Sequence, residues 1–367
     1  MDTIKRKYRF LFAGGGTGGH LFPAIAVAEK IRTLLPESEI LFVGSKSKIE
    51  GRVVPKLGFK FSPIWIKGFS RKLTFENLLF PLKLIVSIIQ SIIINMKFKP
   101  DVAIGTGGYV AGPAIYGSSL IGAKIILIEQ NSYPGITTKL LSKYADEIHI
   151  SFEDSLKFFS GLKKVFVTGN PVREILKESS KEEALKEFKL SINKKTLLIL
   201  GGSLGAGSIN EAVAESAITL EKNNIQIIWQ TGNYYFSKYK NLSSANIIVV
   251  PFIDKMNIAY SACDLMVARA GATTIAELLS LGIPSILVPS PNVAENHQFF
   301  NAKSLSDKNA AILIEDNMIH KKLSDEVISI ISNLSKLKDL RQNAILLSKP
   351  NATAEIAQHA IKFAINN

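Results

Sequence analysis

FLFAGGGTGGH, Phe10 to His20, and LLILGGSLGAGS, Leu197 to Ser208, lie almost half of the 367-residue chain apart, and each runs from an apolar stretch into a turn of glycines. Such a stretch reads as a buried strand that ends in a tight turn and opens a helix. The turn then offers several backbone N–H groups and the positive end of the helix dipole to an anion. Two copies predict an α/β fold of two Rossmann-like, doubly wound parallel-sheet domains facing a cleft, each holding a phosphate-bearing ligand. The length agrees, because a single hydrophobic core stops growing at about 250 to 300 residues.

Outward from the loops, strand-like runs at Arg9 to Ala13, Ile40 to Val43, Val102 to Ile104 and Lys124 to Ile128 alternate with helical patterns such as Pro23 to Leu35. The second half repeats the scheme at Thr196 to Leu200, Ile225 to Trp229, Ile247 to Val250, Leu265 to Ala268 and Ser285 to Val288. A charged stretch from Glu174 to Lys195 reads as a surface helix. We place the domains at 1–165 and 166–350, with a terminal helix at 351–367 packing back on the first domain.

Hydrophobic residues make up 47% of the chain and mean hydropathy is +0.19, which allows two full cores and excludes extended disorder. One cysteine, Cys263, rules out an internal disulfide and fits a reducing compartment. No run of about 18 uninterrupted apolar residues marks a spanning helix, and the apolar start of the chain stops at Gly14, too early for a signal peptide. Net charge is +13, and the first 160 residues hold 21 Lys/Arg against 12 Asp/Glu, or +9 of it. That cationic half suits an anionic membrane surface. It lacks basic residues interleaved with stacking aromatics, so nucleic acid is not expected. The segment Leu78 to Met96 is the most apolar helix candidate. Its polar members Lys83, Ser87, Gln90, Ser91 and Asn95 share one stripe, which fits a core helix better than a membrane-surface helix. Nearby, IWIKGFSRK mixes Trp65 and Phe69 with cations, as an interfacial anchor would.

The first loop satisfies G-x-G-x-x-G through Gly14, Gly16 and Gly19, but the second strand runs into Gly44 and Ser45 rather than the acid a nicotinamide site needs. The same loop ends in His20. Near a helix N-terminus an imidazole stays neutral and can accept a proton, although a lone histidine after a glycine loop more often plays a structural hydrogen-bonding role. A third turn, IGTGGYVAGP from Ile104 to Pro113, adds an anion nest to the same half, which implies a diphosphate or a longer polyanion. IEQN at Ile128 to Asn131 puts polar groups at a strand's ligand-binding end. In the second half, ARAGATTIAELLSLGIP from Ala268 to Pro284 places Glu277 about two turns into a helix, where a carboxylate can accept from both hydroxyls of a ribose. Gln298, in PSPNVAENHQFFNA, is placed to read sugar hydroxyls. No pattern of metal ligands stands out, so no metal and no cofactor are expected, and Arg173 is the cation available to a departing diphosphate.

In this order GGGTGGH, GTGGYVAGP, EQN, GNPVR, GGSLGA, PFIDKM, RAGATTIAEL and HQFFNA strongly resemble the bacterial MurG family, covering Gly14 to Ala302. The resemblance implies a GT-B glycosyltransferase, metal-independent and inverting, that moves N-acetylglucosamine from UDP-GlcNAc to lipid I at the cytoplasmic face of the bacterial plasma membrane, as a peripheral protein, to give lipid II. It makes His20 the candidate base for the acceptor's 4-hydroxyl. Thr17, Gly18, Gly19, Asn131, Arg173, Ser203, Ile253, Ala272, Thr273, Thr274, Ile275, Ala276, Glu277 and Gln298 become UDP-GlcNAc contacts. Gly15, Gly16, Gly107, Gly108 and Tyr109 become acceptor contacts. Family members often carry other residues where this chain has Ile128, Ala270 and His297. A UDP-GlcNAc 2-epimerase or another GT-B transferase is the alternative activity, and a non-catalytic nucleotide-sugar sensor the alternative class.

Overall fold

The computed structural model describes residues 6–68, 79–162, 164–172 and 179–366. The expectations for Arg173 and Phe69 therefore lie outside the described residues. Contacts divide the chain into two units, Met1–Arg173 with Lys349–Asn367, and Glu174–Ser348. The division falls beyond the expected boundary near Val165. The reason is β7 (Val165–Val167), which completes the first sheet by pairing with β6 (Glu147–Ile150).

In the first unit β1 (Arg9–Ala13), β2 (Glu39–Gly44), β3 (Lys60–Pro63), β4 (Val102–Gly105), β5 (Lys124–Glu129), β6 and β7 form one sheet in the order β3-β2-β1-β4-β5-β6-β7, every pairing parallel. In the second, β8 (Lys195–Leu200), β9 (Ile225–Gln230), β10 (Ile247–Val250), β11 (Leu265–Ala268), β12 (Ser285–Leu287) and β13 (Ile312–Leu313) follow the order β10-β9-β8-β11-β12-β13, again all parallel. The strand order reverses beside β1 and beside β8. Loops leaving the carboxyl ends of strands at such a reversal are where open α/β sheets bind ligands.

The central strands are apolar because both faces are covered. Phe10 and Phe12 face one layer with Leu21, Ile25 and Ile356, while Leu11 and Ala13 face the other with Ala114 and Ile115. The helix Ala352–Ile365 contributes Ile356, Ala357, Ala360 and Ala364 to the first unit's core and packs on the helix Gly18–Leu34. That second helix begins at Gly18, five residues before the expected start at Pro23, so His20 sits in its first turn. The charged stretch beyond Glu174 is helical over Lys181–Glu187, where Ser180 and Glu183 close a capping box.

The apolar segment overturns the expectation of a core helix. It folds as the helix Phe80–Phe98, with Ser87, Ser91 and Asn95 buried and Leu82, Ile85, Ile89, Ile93 and Met96 between 47% and 60% exposed. The buried stripe is satisfied internally and by the helix Ala111–Leu120. Ser91 Oγ donates to the Ser87 carbonyl at 2.7 Å, Asn95 Nδ2 to Ser91 O at 2.8 Å, and Ser118 Oγ to Asn95 Oδ1 at 2.7 Å. Gly117 lets the helices approach, since a Cβ there would lie 3.1 Å from Ser91 Cβ. By length and composition alone this helix could cross a membrane, but its stripe of Ser87, Ser91 and Asn95 is buried within the first unit.

Candidate active site

In the first unit three loops meet at the carboxyl ends of β1, β4 and β5. Gly14 permits the contact: a Cβ there would lie within 1.7 Å of Thr106 Oγ1, which donates to the His20 carbonyl at 2.7 Å. The His20 ring lies over Gly107 and Gly108, both at positive φ (92° and 78°), and a Cβ on Gly107 would stand 2.9 Å from His20 Nδ1. Nδ1 faces two acceptors, the Thr106 carbonyl at 3.0 Å and Gln130 Oε1 at 3.3 Å. Gln130 is fixed in turn by donating Nε2 to Ile128 O at 3.1 Å. In the neutral ring Nδ1 therefore carries the proton and Nε2 the lone pair. Burial holds the imidazole below its ordinary pKa of 6.5, outweighing the opposing pull of Gln130, the Thr106 carbonyl and Glu50.

Glu50, on the helix Ile49–Lys56, escaped the sequence reading. It is buried, and its carboxylate accepts from Gly16 N–H at 3.0 Å and Ser45 N–H at 3.1 Å. A side chain at Gly15 would collide with it, a built Cβ lying 2.5 Å from Glu50 Cδ. The expected anion cradle is thus corrected at Gly16, whose N–H already serves an internal carboxylate. The amides of Gly18, Gly19 and His20 precede the first intrahelical bond, Leu21 N–H to Thr17 O, and stay available. So do those of Gly107, Gly108 and Tyr109, which meet no hydrogen-bond acceptor among the described residues. Tyr109 packs its ring on Gly16 and Gly68, and burial, with the Glu50 charge, pushes its phenol up to about 12. The acid of the EQN motif organises the loop. Glu129 is buried and accepts from Asn131 N–H at 3.0 Å, Asn131 Nδ2 at 3.3 Å and Gly135 N–H at 3.1 Å, and burial raises its pKa.

In the second unit the glycine loop between β8 and the helix Gly207–Lys222 leaves Ser203 exposed. Gly205, at φ 80°, passes so close to β9's end that a Cβ would lie within 1.9 Å of Thr231 O. Neither this helix nor Ala272–Leu281 carries an acid in its first turn or a side-chain cap. Their first intrahelical bonds are Asn210 N–H to Ala206 O and Ile275 N–H to Gly271 O, so the preceding amides, including Ala272, Thr273 and Thr274, point outward unpaired among the described residues. Ile275 is buried in the helix's own packing, and Ala276 is partly exposed. Thr273 Oγ1 is buried without a partner.

Three side chains behind these loops were not foreseen. Arg269, just past β11, is bonded through Nη1 to Asp316 Oδ1 and to the carbonyls of Val288 (3.2 Å) and Pro289 (3.1 Å), and through Nη2 to Ser208 Oγ at 2.9 Å. It ties together the loops after β8, β11 and β12. Gln230 bridges the glycine loop and the turn after β10: Nε2 donates to Gly202 O at 3.1 Å and Oε1 accepts from Ile253 N–H at 2.8 Å. Only the carbonyl of Ile253 therefore remains for a ligand edge. Tyr260 donates its hydroxyl to Glu277 Oε2 at 2.6 Å, leaving Oε1; burial raises the Glu277 pKa and Tyr260 opposes it. Gln298, in the first turn of His297–Ser306, accepts from Ser290 N–H at 2.9 Å, which leaves its amide N–H groups to donate.

Comparison with known proteins gives a consistent picture. Residues 10–150 match the glycosyltransferase family 28 N-terminal domain and residues 196–359 its C-terminal domain. A curated relative from Flavobacterium psychrophilum, named UDP-N-acetylglucosamine--N-acetylmuramyl-(pentapeptide) pyrophosphoryl-undecaprenol N-acetylglucosamine transferase, is 44% identical, covering 97% of this chain and 98% of its own length. One of the same name from Cytophaga hutchinsonii is 42% identical over 96% of each chain. Among solved structures, MurG of Acinetobacter baumannii superimposes with a TM-score of 0.79 at 28% identity, covering 97% of this chain and all of its own. The calicheamicin glycosyltransferase CalG4, at 11% identity and a TM-score of 0.72 over 98% of each chain, shares the GT-B fold.

Proposed function

The chain belongs to glycosyltransferase family 28, and we propose that it transfers N-acetylglucosamine from UDP-GlcNAc to the 4-hydroxyl of MurNAc in lipid I, forming lipid II with inversion and without a metal ion. The observation that carries this reading is the near full-length likeness to relatives bearing that activity in their names. The second unit holds the donor. Amides at the starts of Gly207–Lys222 and Ala272–Leu281, with Ser203, take the diphosphate; Glu277 Oε1 accepts from the ribose; the Ile253 carbonyl meets the uracil N3–H. Gln298 contacts the sugar through its free amide N–H groups.

The first unit activates the acceptor. Its 4-hydroxyl oxygen attacks the anomeric carbon as the bond to the diphosphate oxygen breaks, the hydroxyl proton passes to His20 Nε2, and UDP leaves with its charge on main-chain amides. The amides of Gly107, Gly108 and Tyr109 receive the lipid's pyrophosphate. Beside Tyr109 an apolar groove of about 530 Å³, lined by Ile66, Phe80, Leu84, Tyr116 and Leu140, suits the start of the polyprenyl chain. The exposed apolar face of Phe80–Phe98 continues this surface, and Lys83, Lys139 and Lys143 lie near its aromatic neighbours Trp65, Tyr133 and Tyr144. That combination supports peripheral docking on the anionic cytoplasmic leaflet.

Incubation of radiolabelled UDP-GlcNAc with a short-chain lipid I analogue tests the reading. Label in a disaccharide-lipid product, with release of UDP, is expected. Epimerised label without acceptor, or binding without turnover, would replace this reading with an epimerase or a sensor.

A further inference from the structure

A cluster of nitrogen and oxygen ligands lies in the first unit, made of residues to which the transfer reaction assigns no role. Glu147 and His149 alternate on β6, so both project to one side of the sheet, while Ile148 and Ile150 enter the core on the other. The helix Ala352–Ile365 covers that side and supplies His359. Glu147 Oε2 stands 2.7 Å from His359 Nδ1 and 3.6 Å from His149 Nε2, and one ligand atom from each residue lies within 4.8 Å of the others.

His149 makes the cluster more than a salt bridge. Its side chain is 0% exposed, yet neither ring nitrogen has a hydrogen-bond partner, a cost that native interiors rarely leave standing. Phe166 stacks on the ring at 5.4 Å and His359 meets it edge-on at 5.1 Å, fixing its plane. Two imidazoles and one carboxylate are a donor set suited to a borderline divalent ion such as zinc. Tetrahedral ligands about 2.1 Å from zinc lie about 3.4 Å from one another, so the cluster needs only small side-chain shifts to close on it.

We propose that Glu147, His149 and His359 form a binding site for a divalent transition-metal ion, zinc foremost, which fastens the helix Ala352–Ile365 to β6. The fourth position falls to water at the exposed edge of His359, which is 30% accessible. Since Glu147 and His359 are 212 positions apart, the ion would close a loop that contains the entire second unit. The role is architectural.

The test uses the full chain stripped with a chelator and titrated with Zn²⁺, and separately with Co²⁺ as a spectroscopic probe. We expect one tight ion per chain, Co²⁺ absorption bands of a low-coordinate nitrogen-oxygen site, a Tm raised by about 5 °C at hundredfold excess over Kd, and slowed amide exchange across residues 352–365. His359→Ala, at a partly exposed position, should keep the far-ultraviolet circular dichroism of the parent, erase the Co²⁺ bands and weaken Zn²⁺ binding by about 100-fold or more; Glu147→Gln should weaken it by about 10-fold or more. His320→Ala, which alters a surface histidine paired with Glu215, should bind as the parent does. Absence of a retained ion, or unchanged titration in His359→Ala, would overturn the proposal and leave a metal-free imidazole–carboxylate clamp.

Discussion

The glycine loop after β1 and the glycine loop after β8 are near twins in sequence and opposites in electrostatics. Beneath the first sits a buried carboxylate, Glu50, which takes the Gly16 amide and stands close enough to bias His20. Behind the second sits a partly buried guanidinium, Arg269, whose bonds to Ser208, Asp316 and two carbonyls brace three loops. A negative charge below a loop opposes anion binding and favours a proton acceptor; a positive one does the reverse. The same backbone turn therefore serves two tasks, and the task is set by side chains remote in sequence.

Four experiments would break or sharpen this contrast. The largest effect is expected at the first loop: His20→Ala should lower kcat about 10²- to 10⁴-fold while UDP affinity changes little. Undiminished turnover would remove the base from that loop. At the second loop Glu277→Ala should weaken UDP binding by about 10- to 100-fold, the loss of hydrogen bonds to a charged group, and calorimetric titration with UDP would read it. Unaltered affinity would mean that Tyr260 holds Glu277 for structure alone. On the surface, replacing Ile85 and Ile89 together by Asp should reduce partition onto anionic vesicles by about tenfold or more, leaving UDP binding intact; parental sedimentation would separate the exposed apolar face from membrane docking.

The smallest effect concerns pH. Because burial depresses the His20 pKa, the active neutral form persists below the ordinary imidazole midpoint, and the acid limb of kcat should lie under pH 6.5. Glu50 raises that pKa, so Glu50→Gln should move the limb further toward acid. A limb that moves upward would place the base elsewhere.

What the sequence disclosed follows from burial. Strands β1, β8, β10 and β11 are apolar on both faces and read as uninterrupted runs, whereas β6 carries Glu147 and His149, β3 is a partly exposed edge, and β13 spans two residues. Those were missed. The helix Phe80–Phe98 shows a different limit: a polar stripe of fixed spacing looks the same whether it faces water or a neighbouring helix. The small residues Ser87 and Ser91, matched by Gly117, were the available clue to close helix packing. His20, Glu277 and Gln298 were legible because glycines and strand ends announce them. Their partners Tyr260 and Glu50, and the brace Arg269, were not, because contacts between separate elements leave no local pattern.

The way the chain closes on itself has a bearing on its synthesis. Ile356, Ala357, Ala360 and Ala364 belong to a core otherwise built largely from the first third of the chain. At about 5 to 20 residues per second, translation of the intervening 175 positions between 174 and 348 keeps that core unfinished for roughly 10 to 35 s. The nascent first unit thus spends this interval with an apolar seam uncovered, which makes it a client for holding factors and makes removal of residues 352–365 far more damaging than their distance from the reacting groups would suggest.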